Sequence, residues 1–275
     1  MDFTEPPFCY TGSKFKLLSQ IIPNLDFSKK NFIDLFLGGG AILYNVIDKY
    51  DYLLGNDIIC DLMDIHKQLM YNSEKFVENV RKNCPEKNNQ EGYIKLRESY
   101  NLNASSDKLF ALMLCCTNNF LRFNKSFKFN QTFGKRSFSK KTQSKIDNFI
   151  KHLNKFDKNK LNFQSEEFFN IKLENCKNYM YYIDPPYYSS EAGYNAYWSL
   201  NHENKLYDYI ININNCGGSF CLSGISGMHK NNQESLVITK LRNDGFKFIN
   251  IEHDYKKVAR NKDEIRGQEI LIVNY

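Results

Sequence analysis

Two strand-like segments near the N-terminus, each ending in a polar loop, constrain the fold of this chain more than any other feature. Residues 31–36 form an apolar run typical of a buried parallel strand, and Leu-Gly-Gly-Gly follows at 37–40 before a helix predicted over 41–49. A second strand is predicted over 52–56 and ends at Asp57. A strand, a glycine turn and a second strand with an acidic tip open the doubly wound α/β sheets that bind adenosine-type cofactors.

The glycine spacing distinguishes between two such cofactors. A dinucleotide site needs Gly-x-Gly-x-x-Gly, whose last glycine lets helix and strand pack closely, whereas residues 40–43 continue as Gly-Ala-Ile-Leu. S-adenosylmethionine has an adenosine and a charged methionine tail but no phosphate, which fits Asp34, the glycine loop and Asp57. A βαβ unit that binds no nucleotide is the structural alternative.

A later strand-like segment stops at Asp184-Pro185-Pro186-Tyr187. Each proline fixes its own φ and keeps the preceding residue extended, so the acceptor groups of this loop are held still. The Asp184 carboxylate and the Pro185 carbonyl can take both hydrogens of an NH₂ group while Tyr187 stacks on the ring that bears it. The motif predicts a site for a planar amine, and an ordinary strand-ending turn is the alternative.

Positive charge is concentrated in residues 117–141, which we call the basic aromatic tract. The chain carries a net charge of +6 over 275 residues, which permits a polyanionic partner without requiring one. Basic residues can neutralise phosphates and reach base edges while aromatic rings stack, so the tract predicts a nucleic-acid surface. A solvated face of a small helical subdomain is the alternative. The members are Phe120, Arg122, Phe123, Lys125, Phe127, Lys128, Phe129, Phe133, Lys135, Arg136, Phe138, Lys140 and Lys141.

Predicted helices and strands alternate along the rest of the chain. Their order, on both sides of one interruption, predicts an α/β sheet with an inserted subdomain. Helices are predicted over 15–22, 58–82, 92–100, 108–116, 206–214 and 235–241, and strands over 161–165, 219–223, 246–252 and 269–273.

Composition and spacing exclude several classes of site. The eight cysteines are scattered along the chain, and the N-terminal residues have no signal-peptide pattern. We therefore expect reduced thiols in a cytosolic protein. No Cys-x-x-Cys or histidine pair has the spacing of a zinc site, and no metal is expected. No apolar run approaches the roughly 18 residues of a membrane span. The chain also has no Gly-x-Ser-x-Gly nucleophile turn, so hydrolysis is not expected.

Three motifs in order, at residues 10–14 (Tyr-Thr-Gly-Ser-Lys), 34–40 and 184–187, resemble those of the Dam-type family of DNA adenine-N6 methyltransferases (class alpha), especially its phage branch. The resemblance covers nearly the whole chain, and the joint match is more specific than any one motif. Further matching segments are Asn56-Asp57-Ile58, residues 119–124, residues 133–136, Tyr194-Asn195 and Trp198.

The resemblance implies a Rossmann-like, S-adenosylmethionine-dependent methyltransferase sheet with an inserted, mainly helical target-recognition subdomain. Residues 1–70 and 161–275 would form the catalytic domain, and residues 71–160 would form the insertion. The implied catalytic residues are Asp184, Pro185, Pro186 and Tyr187. The implied cofactor residues are Tyr10, Lys14, Asp34, Phe36, Gly38, Gly39, Gly40, Asp57, Phe168 and Asp184. The implied DNA contacts are Lys14, Asn118, Asn119, Phe120, Arg122, Asn124, Lys135 and Arg136.

The same resemblance implies methylation of a flipped adenine in double-stranded DNA, within a short palindrome that is commonly GATC. The chain departs from the family pattern at Thr117, where an aromatic wedge is usual, and at Thr132, where a proline is usual. A companion restriction endonuclease, a cytoplasmic location in a bacterial or phage-infected cell and a monomer or weak dimer are further expectations. Cytosine N4, an RNA base and a protein glutamine amide remain alternative substrates. A non-catalytic DNA-binding regulator on the same fold is the alternative of another class.

Overall fold

The computed structural model describes residues 3–124, 126–186, 198–226, 234–252 and 268–275, and these contain one mixed sheet of seven strands. The strands are β1 (Asn31–Asp34), β2 (Tyr52–Asn56), β3 (Leu161–Gln164), β4 (Tyr179–Ile183), β5 (Ser219–Ser226), β6 (Lys247–Asn250) and β7 (Gln268–Val273). Their order across the sheet is β3-β2-β1-β4-β5-β7-β6, and the first five strands in this order run parallel to one another. β7 lies antiparallel between β5 and β6. The predicted Rossmann-like α/β class is confirmed.

The strand order reverses beside β1, which pairs with β2 on one side and β4 on the other. Asp34, the last residue of β1, lies opposite Gly55 and Tyr182. The loops that follow these three strands therefore leave the same edge of the sheet. Ligands of open α/β sheets bind at such a switch point, outside the carboxyl ends of the strands.

Eight α-helices flank the described strands, and short 3-10 turns link several of them. They are α1 (Leu18–Ile21), α2 (Cys60–Tyr71), α3 (Ser73–Asn83), α4 (Gln90–Leu102), α5 (Ser106–Cys115), α6 (Lys140–Leu153), α7 (Leu200–Asn215) and α8 (Leu236–Asn243). Within the described ranges, no helix is both long and apolar enough to span a membrane.

The predicted helices need two corrections, one at α2 and α3 and one at α6. The helix predicted over 58–82 is two helices, because the backbone at Asn72 is non-helical with φ −133° and ψ 34°. Helix α6 was not predicted, since the lysines at its start were assigned to the basic aromatic tract. Its signals are a Ser139 side chain that accepts from the Thr142 N–H, and buried Ile146, Phe149 and Leu153 at helical spacing.

The helix predicted over 41–49 is wrong. Two 3-10 turns, Leu43–Asn45 and Ile47–Lys49, stand in its place. The Asn45 side-chain amide donates to the Ala41 carbonyl at 2.8 Å, which is the acceptor that an α-helix would offer to the Asn45 backbone N–H. That N–H instead bonds the Ile42 carbonyl at 2.9 Å. The segment is also buried on nearly every side, so it lacks the polar face of an amphipathic helix.

Hydrophobic clusters cover both faces of the sheet. One contains Ile33, Tyr181 and the inner faces of α7 and α8. The other joins Phe32 of β1 to Phe76 of α3 and Phe149 of α6, so the segment between β2 and β3 shares its core with the sheet. The proposed limits of the insertion coincide with the end of α2 at residue 71 and the residue before β3. The division into catalytic and recognition parts stays a prediction.

Candidate active site

A cleft of about 360 Å³ opens at the carboxyl ends of β1, β2 and β4, and its size is that of small-molecule sites. The loops after these strands, the 10–14 segment and Trp198 line it. Residues predicted to bind cofactor or substrate therefore meet in one place. Those that line the cleft are Tyr10, Lys14, Asp34, Phe36, Gly38, Gly39, Asp57, Phe168, Asp184, Pro185 and Pro186. Tyr187, Tyr194 and Asn195 lie outside the described residues.

The glycine loop is shaped by two tyrosine rings. Gly38 has φ +49°, and a Cβ there would lie 2.6 Å from the Tyr10 ring. Gly40 has φ +75°, and a Cβ there would lie 2.5 Å from the Tyr44 ring. Both positions require glycine, for backbone conformation and for space. Gly40 does not line the cleft, and its contribution is to leave room for the Tyr44 ring to pack against the loop.

Asp57 holds the glycine loop against the start of α2. Its Oδ2 accepts from the Gly38 N–H at 3.0 Å, and its Oδ1 accepts from the Ile59 N–H at 3.1 Å. Burial raises the pKa of Asp57. An ionised carboxylate has about four acceptor positions, so Asp57 can still accept from a ligand hydroxyl group.

Three buried oxygen atoms of the cleft residues have no hydrogen-bond partner within the described structure: Asp34 Oδ1, Thr11 Oγ1 and the Tyr182 hydroxyl. Buried polar atoms are nearly always paired, so unsatisfied ones that line a cleft are candidates for ligand contacts. Burial and the nearby Asp184 charge raise the pKa of Asp34 well above its usual range. A cationic group would relieve both effects, and S-adenosylmethionine carries two such groups, an ammonium and a sulfonium. The residues present fit that cofactor.

An ion pair joins the N-terminal segment to the loop after β4. The Lys14 ammonium lies 2.8 Å from each carboxylate oxygen of Asp184 and 3.2 Å from the Gly12 carbonyl oxygen. The Lys14 side chain is 6% exposed and that of Asp184 is 18% exposed, so the pair is largely shielded from water. Lys14 thus contacts both oxygens with which Asp184 would hold an amine.

Aromatic rings form a wall on the β3 side of the cleft. Phe36 follows β1, Phe168 follows β3, and their ring centroids are 5.4 Å apart. Trp198 packs against both of them, at 5.7 Å and 5.8 Å. Phe168 was expected beside a cofactor adenine, and the wall provides flat apolar surface of that kind.

The basic aromatic tract runs along the surface beside the cleft in irregular structure. Isolated antiparallel bridges join Cys116 to Phe133 and Phe123 to Phe129, so the chain folds back on itself here as an irregular hairpin. Six non-glycine residues in the described chain have positive φ, and four of them, Asn118, Asn119, Phe127 and Lys135, lie in this tract. Asparagine tolerates this region, so the strain lies at Phe127 and Lys135, and strained backbone is often found at functional sites.

The predicted DNA contacts in the tract fall into two groups. Asn118, Phe120, Arg122, Lys135 and Arg136 are exposed and could reach a partner. None of these five lines the cleft, whereas Phe123 and Phe127 of the same tract do.

The other two asparagines bind their own chain. The Asn119 amide donates to the Met113 carbonyl at 2.8 Å, and its oxygen accepts from Arg136. The Asn124 oxygen accepts from the Ser126 and Lys128 N–H groups at 2.9 and 3.1 Å, which closes the hairpin turn. Both side chains shape the tract in this structure.

The two departures from the family pattern, Thr117 and Thr132, are neighbours. The Thr117 N–H donates to the Thr132 carbonyl at 2.8 Å, and the two hydroxyl oxygens are 3.0 Å apart. One position replaces an aromatic and the other a proline, so this part of the surface differs from the family pattern as a unit.

Several residues that were not among the predicted site residues support the loops of the cleft through hydrogen bonds. His66 bonds the Gly38 carbonyl, and the Asn56 amide donates to the Leu35 and Glu166 carbonyls at 3.1 and 3.0 Å. Glu203 accepts the Trp198 indole N–H. Asn56 had a signal, since it directly precedes Asp57. A histidine or glutamate on an otherwise apolar helix face is a weaker one.

Across the described residues, no group of three or more His, Cys, Asp or Glu side chains is arranged to hold a metal ion.

The chain matches the family model of D12 class N6 adenine-specific DNA methyltransferases over residues 10–261. The match spans most of the chain and includes the motif residues gathered at the cleft. The chain belongs to this family. The membership confirms the resemblance to adenine-N6 DNA methyltransferases seen in the motifs.

Several relatives of this D12 class chain share much of its length. It is 27% identical to the modification methylase StsI of Streptococcus sanguinis, over 99% of this chain and 43% of that protein. It is 25% identical to the type II methyltransferase M1.LlaDCHI of Lactococcus lactis subsp. cremoris, over 97% of this chain and 94% of that one. A DNA N-6-adenine-methyltransferase of Escherichia phage P1 is 30% identical over 49% of this chain and 18% of its own length. The chain therefore spans less than half of the Streptococcus relative.

Proposed function

We propose that this D12 family chain transfers a methyl group from S-adenosylmethionine to the N6 amino group of adenine in double-stranded DNA. The observation that carries the proposal is that Asp184 and Pro185 line the same cleft as the glycine loop and Asp57. The residues predicted to hold a planar amine and those predicted to hold an adenosine cofactor therefore share one cleft. Family membership supports the choice of adenine N6.

Asp184 would act by accepting a hydrogen bond from the amine. The lone pair of an aromatic amino group is delocalised into its ring, which makes it a poor nucleophile. Hydrogen bonds from the two amino hydrogens to the Asp184 carboxylate and the Pro185 carbonyl favour a tetrahedral nitrogen and orient its lone pair. S-adenosylmethionine supplies the electrophilic methyl group when bound. Tyr187 would stack on the base, and the proton released would pass to solvent.

Lys14 would have to release at least one Asp184 oxygen before an amine could bind there. It lies 2.8 Å from both oxygens in the free protein, which fixes the orientation of the carboxylate. The adenine amino group can replace the ammonium as hydrogen-bond donor. Lys14 would then be available for a DNA phosphate or base.

The cofactor would lie along the glycine loop. Asp57 is placed to accept from the ribose hydroxyls, and Phe36 and Phe168 offer surface to the adenine. Asp34, whose Oδ1 lacks a partner among the described residues, would accept from the ammonium of the methionine tail. Tyr10, Gly38 and Gly39 would close the site.

Replacement of Asp184 tests the catalytic assignment. We expect Asp184→Ala to abolish methylation of DNA while calorimetry still detects binding of S-adenosylhomocysteine. Asp51→Ala, at an exposed carboxylate before β2, is the control and should stay active. Mass spectrometry of nucleosides from treated DNA identifies the product. Only N6-methyladenine supports the proposal, and an active Asp184→Ala enzyme or N4-methylcytosine contradicts it.

Residues 71–160 would serve as the target-recognition region, with the basic aromatic tract reading DNA beside the cleft. The exposed Arg122 and Arg136 are suited to base edges or phosphates. Because Thr117 and Thr132 depart together from the family pattern, the recognition sequence need not be GATC. Sequencing of DNA from cells that express the protein, with modified adenines mapped, would identify it.

The names of the relatives support a role in DNA modification alongside a restriction endonuclease. We propose that the protein works in the cytoplasm of a bacterial or phage-infected cell, as a monomer or weak dimer on DNA. Co-expression of an endonuclease specific for the mapped sequence tests the protective role. Cells should survive with the active enzyme and die with Asp184→Ala.

A further inference from the structure

The indole of Trp198, the only tryptophan of the chain, is fixed at the edge of the cleft. Its ring contacts Phe36 and Phe168, and it stacks with the His202 ring at a centroid distance of 5.4 Å and an interplanar angle of 24°. Its Nε1–H donates to Glu203 Oε1 at 2.7 Å. Both the plane and the rotation of the indole are thus determined by contacts.

Glu203 is a carboxylate of α7 that is only 2% exposed. Three donors surround it: the Trp198 indole, the Ser235 hydroxyl at 2.5 Å and the Val237 N–H at 3.2 Å. A buried charge is costly unless it is hydrogen-bonded, so these donors account for its presence in the core. They come from the start of α7 and from the start of α8.

The two oxygens of Glu203 divide their partners. Oε2 accepts from Ser235 and Val237 and thereby caps the start of α8. Oε1 accepts from Trp198. A buried indole N–H needs an acceptor, and Oε1 is the oxygen of Glu203 that α8 does not use. This bond fixes the rotation of the Trp198 ring within the aromatic wall.

We propose that Glu203 is a positioning residue that holds the Trp198 ring as a wall for the purine of the cofactor. The inference rests on the proposed function and deepens it. Phe36 and Phe168, the ring partners of Trp198, follow β1 and β3. These two strands flank β2, which ends directly before Asp57. The loop that would hold a DNA base follows β4 instead. The wall is accordingly assigned to the cofactor and not to the target adenine.

Fluorescence can test the assignment, because all tryptophan emission comes from Trp198. Titration of the wild-type protein with S-adenosylhomocysteine, in the absence of DNA, should change the emission in a saturable way. Glu203→Gln leaves one carbonyl oxygen for three donors, so the emission of the free protein should shift and the affinity for S-adenosylhomocysteine should fall about tenfold. Asp208→Asn, at a carboxylate of the same helix, is the matched control and should leave both unchanged.

A double-mutant cycle separates positioning from a general effect on folding. Trp198→Phe keeps an aromatic ring but removes the N–H, and calorimetry should show weaker binding of S-adenosylhomocysteine. If Glu203 acts through Trp198, Glu203→Gln should weaken binding little further in the Trp198→Phe background. Additive losses would contradict the proposal. Trp198→Phe also tests the wall directly should Glu203→Gln fail to fold, and wild-type affinity in that variant would overturn the inference.

The outcomes also distinguish this inference from the proposed function. If the protein binds S-adenosylhomocysteine but Trp198 emission responds only to DNA, the ring faces the target base and the inference is wrong while the activity stands. Emission that changes with neither ligand would show that the ring contacts neither the cofactor nor the target base, and the inference would again be wrong while the activity stands. If wild-type protein does not bind S-adenosylhomocysteine, the proposed function and this inference fail together.

Discussion

The imidazole of His66 lies fully buried between the glycine loop and Tyr44. Its Nε2 is 2.8 Å from the Gly38 carbonyl oxygen, which can only accept, so this nitrogen carries the hydrogen. Nδ1 then accepts from the Tyr44 hydroxyl at 2.7 Å. Burial lowers the pKa of His66 from 6.5 to about 4. The ring is therefore neutral at physiological pH and braces the loop on which the cofactor would lie.

This depressed pKa predicts a dependence of stability on pH. Between about pH 6.5 and 4 the unfolded chain binds a proton at His66 that the folded chain does not, so stability is full above the window and falls through it as pH drops. The loss is about 3 kcal/mol at pH 4. Urea unfolding at several pH values measures this. The free energy of unfolding should change less with pH in His66→Gln, whose side chain does not titrate, than in the wild-type protein. Equal slopes would contradict the prediction.

Phe127 is a second residue in an unfavourable environment, because its apolar ring is exposed and its backbone has a positive φ. It is 72% exposed, has φ +56° at a hairpin tip and lines the cleft. A large aromatic side chain in the left-handed region costs about 1–2 kcal/mol, whereas asparagine tolerates that region. Strain that is not needed for folding is expected where a side chain contacts a partner.

We therefore expect Phe127→Asn to raise the free energy of unfolding by about 1 kcal/mol and to weaken DNA binding. Thermal denaturation and a fluorescence polarisation assay with duplex DNA measure the two effects. Phe120→Asn, at an exposed aromatic with ordinary φ −80°, is the control and should bring no gain in stability. A destabilised Phe127→Asn variant that bound DNA normally would show that the ring serves the fold.

At the scale of elements, the loop between β1 and the 3-10 turn Leu43–Asn45 depends on two separate properties of glycine. Gly40 needs a positive φ and also the space that the Tyr44 ring takes. Gly245, which follows α8, has φ +81°, and a Cβ there would meet no atom of the described residues within 4 Å. The two positions share the backbone requirement and differ in crowding.

Their alanine variants should separate these properties. We expect Gly245→Ala to lower the free energy of unfolding by about 1 kcal/mol through backbone strain, and Gly40→Ala to lower it by about 2–4 kcal/mol because the ring must also move. Only Gly40→Ala should weaken binding of S-adenosylhomocysteine in calorimetry. Equal losses of stability in the two variants would mean that Tyr44 adapts without cost.

At the scale of the whole molecule, charge is distributed unevenly. The exposed Arg122, Lys128, Lys135 and Arg136 lie in the basic aromatic tract beside the cleft. Lys82 of α3 and Lys95 of α4 are equally exposed but form ion pairs with Glu78 and Glu91 on their own helices. Position, more than the net charge of +6, should decide where DNA binds.

A pair of double variants tests this. Arg122→Ala with Arg136→Ala and Lys82→Ala with Lys95→Ala both remove two positive charges. For the first pair we expect weaker binding to duplex DNA and a slope of log K against log salt that is smaller by about 2, because two phosphate contacts are lost. The second pair should bind as wild type does. Similar losses in both pairs would place the DNA elsewhere or make its binding diffuse.

Local sequence patterns determined the α/β class, the order of the strands along the chain and the two loops that define the cleft. Strands β1, β2 and β4 are short apolar runs that stop at an acid, a glycine turn or a proline, and such signals act over a few residues. The same locality explains the errors. The Asn45 side chain that replaces the helical bond is also bonded to Thr4, 41 residues away, and nothing near Asn45 in the sequence marks that contact. No local signal separates the lysines of α6 from the basic aromatic tract.

Tertiary structure alone decided what completes the site. Lys14 and Asp184 are 170 residues apart in the chain and form an ion pair because the fold brings the segment before α1 to the loop after β4. His66 and Glu203 lie behind the cleft, where the partners of their buried side chains include the Gly38 carbonyl and the Trp198 indole. The sequence by itself determined which groups could do the chemistry. Packing and burial decided which of those groups meet, since both depend on contacts between distant segments.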